Sequence, residues 1–438
     1  GTPEVEVESE WDPATGQYSL TFNQECPATP GQPHKELFLI PIRLALFSNT
    51  GDLLKLNVDD NTLKNQYLAA DSDNEIILKL SERHQTITFN DLKSQPVPSL
   101  LRGFSAPIKL RYNYSHAELA LLLAHDNDSY TNWDAGQSLM TSTIVNITES
   151  IIDEEPLVVP DILVDALLAN LDNTAIDPSL LAMSLKIPGL DYLIEQFQQV
   201  PFDQLVTAYK HLNKYLSEKL KTKLLEVYFK ANDLGKQNNT AAVGWRSLQN
   251  ACLSLLAESE AEEITVLAIE QFNNAKAMTN SLAALRVIAH SPSDKKEAVL
   301  EEFYQRWQDE ELVLDKWFAV QATSPCVSVI DDIYQLLEHA DFQLSNPNKT
   351  RALIASFAKN NLQNFHHQDG RGYKLVADII IKLNKINPQI AARLTTSFNS
   401  WRDFDKQRRE LMETQLKRLV ELDNISLDVY EIATKALA

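Results

Sequence analysis

Ile108-Lys-Leu-Arg-Tyr-Asn-Tyr-Ser115-His-Ala-Glu-Leu-Ala-Leu-Leu-Leu-Ala124 decides the fold, because the spacing of apolar residues changes inside it. Up to Tyr112 the apolar residues alternate, as in a strand with one buried face, and from Ser115 the period is helical, with Ser115 at the N-cap position. Upstream, residues 1 to 110 hold 9 of the 18 prolines and 5 of the 11 glycines. Short alternating runs (Gln17 to Phe22, Leu37 to Ile40, Ile42 to Phe47, Gln85 to Phe89) lie between turn signals at Pro27 to Pro33, Asn49 to Asp52 and Asp71-Ser-Asp-Asn74. Strands at this spacing, with Val97 to Phe104 and Ile108 to Tyr112 as the last, predict an antiparallel β-sandwich of immunoglobulin-like size over residues 1–112.

Downstream, residues 113–438 read as helix to the end. Asp177-Pro178, Asn346-Pro347 and Asn387-Pro388 each pair a side-chain acceptor with proline at the first helical position. Thr279, Ser293 and Ser426 are further expected N-caps. Helices are expected over Ser281 to His290, Glu297 to Asp309 and Val327 to His339, with two in succession between Asp203 and Asn232. Some sixteen to eighteen helices are too many for one bundle, so stacked helical hairpins in a HEAT- or armadillo-like superhelix are expected, without a clean repeat of about 40 to 47 residues.

Composition narrows the function. Of 438 residues, 44% are hydrophobic and 23% charged, ordinary globular usage. Sixty acidic against forty basic residues give a net charge of -20, which repels a phosphate backbone and argues against nucleic acid as a partner. No run approaches the roughly 18 apolar residues of a membrane span, and the acidic start Glu4 to Glu10 is unlike a signal peptide. Cys26, Cys252 and Cys326 are odd in number and far apart, as expected in a reducing, cytoplasmic setting. The chain starts Gly1-Thr2-Pro3 without methionine, the expectation for a processed chain or a piece of a longer polypeptide.

Signs of catalysis are sparse. None of the nine histidines is followed by glutamate, so the H-E-x-x-H helix of a zinc peptidase is missing from this sequence. His366, His367 and Asp369 lie within four residues, but adjacent histidines on a helix diverge by about 100° and do not chelate together; a polar turn is expected there. Arg351 and Arg393 lie in the second turns of the two helices opened by Asn346-Pro347 and Asn387-Pro388. On stacked hairpins they can face one side and offer a positive spot in an acidic surface, suited to a carboxylate or peptide carbonyl.

Eight runs occur in order: Pro27-Ala-Thr-Pro-Gly-Gln32; Gln95 to Leu101 with Phe104-Ser-Ala-Pro107; Asn132-Trp-Asp-Ala-Gly-Gln-Ser-Leu139; Asn250-Ala-Cys-Leu253; Met278-Thr-Asn-Ser-Leu-Ala-Ala-Leu285; Asp315-Lys-Trp-Phe318 with Gln321-Ala-Thr-Ser324; Ser345-Asn-Pro-Asn348; and Asp369-Gly-Arg-Gly-Tyr373. Together they resemble the C-terminal half of the bacterial aminopeptidase N family of zinc aminopeptidases, over essentially the whole chain. The resemblance implies a small β-sandwich followed by a helical superhelix that caps a catalytic domain and shapes a chamber for peptides. It implies that zinc and its ligands lie outside this chain, with no catalytic or metal-binding residue here. Arg351 and Arg393, with Gln389 beside the latter, are the substrate-binding residues it implies. The missing N-terminal and catalytic domains of the same polypeptide and peptide substrates are the implied partners, and a monomer is the implied state. From composition and periodicity alone, an independent solenoid scaffold for partner proteins fits equally well.

Overall fold

The computed structural model describes residues 1–58, 67–69, 73–237 and 239–438. Among them the first part of the chain supplies β1 (Glu4–Asp12), β2 (Gln17–Glu25), β3 (Ile40–Phe47), β4 (Tyr67–Ala69), β5 (Glu75–Leu80), β6 (His84–Phe89), β7 (Val97–Leu100) and β8 (Lys109–Tyr112). They form two sheets, ordered β6-β2-β1-β8 and β4-β5-β3-β7. Alternation in β2 buries Tyr18, Leu20 and Phe22, and in β5 it buries Ile76, Leu78 and Leu80. With Ile42 and Leu44 of β3 these rows make the sandwich core. Each such side chain contributes about 1.5 to 3 kcal/mol by leaving water.

Several details depart from the sequence reading. The acidic start is itself β1, in which Val5 and Val7 point inward while Glu6 and Glu8 stay outside. β1 pairs antiparallel with β2 but parallel with β8, the one parallel pairing between described strands. Of the expected strand Leu37 to Ile40, only Ile40 joins β3, because β5 ends at Leu80 opposite Ile40 and leaves residues 37–39 without a ladder partner. The buried Gln24 amide instead takes the N–H and C=O of Phe38, at 3.0 and 3.1 Å, and Leu37, Phe38 and Leu39 are left exposed. The turn at Asp71 to Asn74 lies partly outside the described residues.

The strand expected over Val97 to Phe104 stops at Leu100. Leu101, Gly103 and Phe104 then have φ of 59°, 61° and 50°, a costly left-handed turn for two bulky residues. The compensation is Arg102, which the turn sends inward to donate to Asp126 at 2.7 Å, Ser99 at 3.0 Å and Glu75 at 3.0 Å. Charge-assisted bonds of this kind are the strong ones.

Helices follow from Ser115, whose side chain and that of Glu118 form a reciprocal capping box. Asp177, Asn346, Asn387 and Ser426 cap as expected. Thr279 and Ser293 do not: the helix Met278–His290 starts one residue before Thr279, and Ser293 accepts from the Lys295 N–H in the turn before the helix Lys296–Trp307. The chain divides into two compact units, Gly1–Thr143 with Val159–Ile187, and Ile144–Val158 with Pro188–Ala438.

In the second unit most helices pack on near neighbours in sequence, as stacked hairpins do. Helix Lys221–Gly235 lies on Ala241–Ala257, Glu262–Asn274 on Met278–His290, and Arg371–Asn384 on Pro388–Thr395. One junction breaks that pattern. Arg408, 4% exposed, donates to Asp405 at 2.6 Å, to both carboxylate oxygens of Asp203 at 2.5 and 3.2 Å, and to the His366 carbonyl at 2.6 Å. Its guanidinium lies 5.1 Å from the Phe202 ring, and the Val200 N–H donates to the Asp403 carbonyl at 2.7 Å. Removing this buried cation leaves the His366 carbonyl without its donor and ends two ion pairs with half-exposed carboxylates, so Arg408→Met is expected to cost on the order of 1 to 3 kcal/mol. Arg371→Met, which breaks an exposed pair with Asp331, should cost less than about 1 kcal/mol. Denaturant midpoints of the two variants check this, and equal shifts would remove the special standing of the junction.

Candidate functional site

Asn346 accepts from the Asn348 N–H at 2.9 Å, with Pro347 at the first helical position, and so starts the helical stretch that carries Arg351. The stretch runs as α-helix over Pro347–Thr350, as a π turn over Arg351–Ala355, and as α-helix again over Ser356–Asn360. Arg351 is exposed. Its Nε donates to the Pro347 carbonyl at 3.2 Å and its Nη2 to Asn348 Oδ1 at 2.8 Å, while its Nη1 has no partner among the described residues. The guanidinium is thus folded back along its own helix, held but not neutralised.

Arg393 sits on the helix Pro388–Thr395, opened by Asn387 accepting from the Ile390 N–H at 3.2 Å. Gln389 is four residues before it and therefore adjacent on the helix surface. Both are exposed, opposite the buried Ala391, Leu394 and Thr395, and neither side chain has a polar partner among the described residues. Arg351 packs its helix on Glu311–Ala322, whereas the helix of Arg393 packs on Arg371–Asn384 and Leu427–Leu437. The two arginines therefore stand on different helical neighbours, and no hydrogen bond joins them.

The two adjacent histidines go separate ways. His367 stays outside, 3.2 Å from Asp369, in the expected polar turn. His366 does not belong to that turn's solvated face: it is buried, its ring stacks on Phe404 at 4.2 Å, and its Nδ1 lies 2.9 Å from the Tyr373 hydroxyl. Desolvation, helped by the Arg408 charge, pushes its pKa down to about 3. His290 is similar, its Nε2 donating to the Val320 carbonyl at 2.9 Å and its pKa pushed down to about 4, chiefly by desolvation. Among the described residues no group of three or more His, Cys, Asp or Glu side chains is arranged to hold a metal ion.

Other runs singled out in the sequence turn out to join helices. Gln271 Nε2 donates to Asn250 Oδ1 and to the Asn280 carbonyl, both at 2.9 Å, and Asn280 Nδ2 donates to Gln249 Oε1 at 2.7 Å. Tyr228 donates to Gln271 Oε1 at 2.9 Å, which completes a buried amide network over four helices. Asn361 Nδ2 donates to the carbonyls of Ala322 and Ser324. Trp317 is a core anchor, its Nε1 bonded to the Leu300 carbonyl. Sequence reasoning missed Lys349, which is 5% exposed although it lies two residues from Arg351. A lysine next to a proline-led helix start carries no signal of burial by itself. In the sandwich, a cavity of about 230 Å³ beside Cys26, His34, Lys35, Phe38 and Arg83 holds none of the three expected site residues.

Residues 1–113 match a family described as a domain of unknown function (DUF3458) with an Ig-like fold, and residues 116–438 match its companion of ARM repeats (DUF3458_C). The chain is 35% identical over 438 residues to aminopeptidase N of Escherichia coli, 34% identical to that of Haemophilus influenzae and 33% identical to that of Caulobacter vibrioides. Each match takes in 100% of this chain but only 49%, 49% and 48% of the relative. The chain thus spans about half the length of the curated relatives it matches. A crystal structure of Legionella pneumophila aminopeptidase A in complex with aspartic acid superposes with a TM-score of 0.83 at 29% identity, over 100% of this chain and 49% of that one.

The buried histidines make stability pH-dependent with a defined sign. Their folded pKa values lie below the ordinary 6.5, so below that pH the unfolded chain binds protons that the native chain excludes. Stability is then complete above pH 6.5 and falls with pH, by up to about 1.4 kcal/mol per pH unit for each residue, until about pH 4 for His290 and about 3 for His366. Denaturant titrations across that range should show the His290→Gln slope reduced by about one proton. An unchanged slope would mean that His290 titrates normally in the fold.

Proposed function

Since the chain belongs to the DUF3458 family, the C-terminal part of aminopeptidase N, we propose that it is the noncatalytic portion of a zinc-dependent aminopeptidase that removes N-terminal residues from peptides. In this reading residues 1–112 are a sandwich support and residues 113–438 a helical cap that shapes the substrate chamber. The full-length match over only about half of each relative is the observation that carries it. The described residues of this chain bring no ligand cluster for zinc together, and of the two adjacent histidines set aside in the sequence His366 is turned into the core. In this reading zinc and its ligands belong to the rest of the polypeptide, and no chemical step is assigned to this half. The exposed Leu37, Phe38 and Leu39, at 43%, 43% and 69%, are surface that the remaining domains are expected to cover. The whole enzyme is proposed to be a cytoplasmic monomer.

Arg351 and Arg393, with Gln389, are proposed to hold the peptide beyond the scissile bond. A guanidinium gives a carbonyl or terminal carboxylate charge-assisted bonds, and Gln389 adds an amide donor four residues from Arg393. The net charge of -20 meanwhile draws the free amino group of a substrate inward. These contacts raise turnover only to the extent that they strengthen as the scissile carbonyl becomes tetrahedral.

Two outcomes are expected. Purified alone, the chain should neither cleave aminoacyl arylamides nor bind stoichiometric zinc, and robust zinc-dependent turnover would refute the noncatalytic assignment. In the complete enzyme, Arg351→Ala and Arg393→Ala should each lower kcat/KM for peptides by about 10- to 100-fold, the value of one charge-assisted bond. Peptide kinetics indistinguishable from the parent enzyme would strike that arginine from the site.

A further inference from the structure

We propose that Lys349 is a positioning residue for Arg351, acting through its buried contact with Asp315 and Phe318. The inference rests on the reading of Arg351 as a peptide-binding residue. It also gives a physical role to two sequence runs, Asp315-Lys-Trp-Phe318 and Ser345-Asn-Pro-Asn348, that the fold brings face to face.

A lysine this close to a helix start ordinarily extends its ammonium into water. Lys349 does the reverse. Its Nζ lies 3.1 Å from Asp315 Oδ1 and 3.3 Å from the Glu311 carbonyl, to which it donates, and 5.5 Å from the centre of the Phe318 ring. Both side chains of the pair are largely out of water, at 6% and 19% exposure. All three partners belong to the helix Glu311–Ala322, so the ammonium ties the first turn of the Arg351 helix to one place on its neighbour. Thr350 adds a second tie, donating to the Leu344 carbonyl at 2.9 Å.

Immediately beyond, the helix widens. The Ser356 N–H reaches back five residues to the Arg351 carbonyl, which also accepts from the Ser356 hydroxyl at 3.3 Å. Ala352, Leu353 and Ile354 are buried within this π turn. Arg351 is therefore bracketed, anchored through Lys349 before it and through Ser356 after it, while its guanidinium is drawn back to Pro347 and Asn348. Burying an ion pair is a weak route to stability, because an apolar pair of equal volume commonly does as well. What the pair supplies is a fixed direction for the turn from which the exposed guanidinium projects. Single-turn π segments often mark functional positions in helices.

The test uses the complete enzyme with two substrate types, a peptide with residues beyond the scissile bond and an aminoacyl arylamide without them. Lys349→Met keeps the stem and removes the charge. It is expected to lower the ratio of peptide to arylamide kcat/KM by about 3- to 10-fold, mainly through peptide KM, and to add nothing when combined with Arg351→Ala. Should the single variant fail to fold, Asp315→Asn/Lys349→Met, which strands no buried charge, is read in its place with the same expectation. Equal losses on both substrates, or effects that multiply with those of Arg351→Ala, would overturn the positioning role while leaving Arg351 in the site. If Arg351→Ala itself leaves the ratio unchanged, the binding assignment of Arg351 is what fails, and the positioning role falls with it.

Discussion

Arg408 joins parts of the chain separated by 205 residues, and the helical unit depends on what happens around it. Closing a loop of that length costs on the order of 5 kcal/mol in chain entropy beyond a constant. One ion pair with half-exposed carboxylates does not offset this, since Asp203 and Asp405 keep 51% and 39% of their side-chain surface. The closure is carried by the intervening helices, each burying an apolar face on the next, and by the aromatic packing of Phe202, His366 and Phe404 at the meeting point. The guanidinium then selects one arrangement. Its planar donors match Asp203, Asp405 and a backbone carbonyl at once, and a shift of the junction would leave a buried charge unpaired. His366 fits the same logic, because only the neutral ring can lie between Phe404 and Tyr373 with a cation beside it.

Much of the fold was legible because its signals are local. Side-chain acceptors followed by proline marked three helix starts, and Ser115 and Ser426 marked two more, since capping is decided within four residues. Thr279 and Ser293 misled for the complementary reason. A hydroxyl near a helix start is one acceptor among several, and the helix Met278–His290 starts after Ala277 with no side-chain cap. In the sandwich, Leu37 to Ile40 had the composition of a strand but lacked a partner. Pairing is a property of two segments, and β5 ends opposite the last residue of that run. The parallel contact of β1 with β8, about a hundred residues apart, was likewise outside the reach of periodicity.

The exposure of the proposed binding residues was legible in a different way. Arg351 and Arg393 follow equivalent caps, so their exposure on second turns could be reasoned from helix geometry; Gln389 followed as the neighbour four residues before Arg393. The chemistry of the histidine pair was read correctly for His367 and incompletely for His366, whose burial depends on Phe404 and Arg408, far along the chain. Most other quoted runs, including Asn250, Asn280 and the stretch around Ser324, serve to join helices through buried amides. Such groups tolerate no unpaired donor, so they fix register sharply.

The two arginines also differ in what binding would ask of them. Arg351 already has Nε and Nη2 engaged, so a ligand meets a guanidinium whose rotamers have largely been chosen by its own helix. Arg393 has no polar partner among the described residues, and its approach to a ligand must restrict a side chain with about 2 kcal/mol of rotamer entropy at stake. A held cation favours one distance from the scissile bond; a free one follows ligands of different length at lower gain per contact. In the proposed chamber, one of each would suit peptides that share a backbone but not a size.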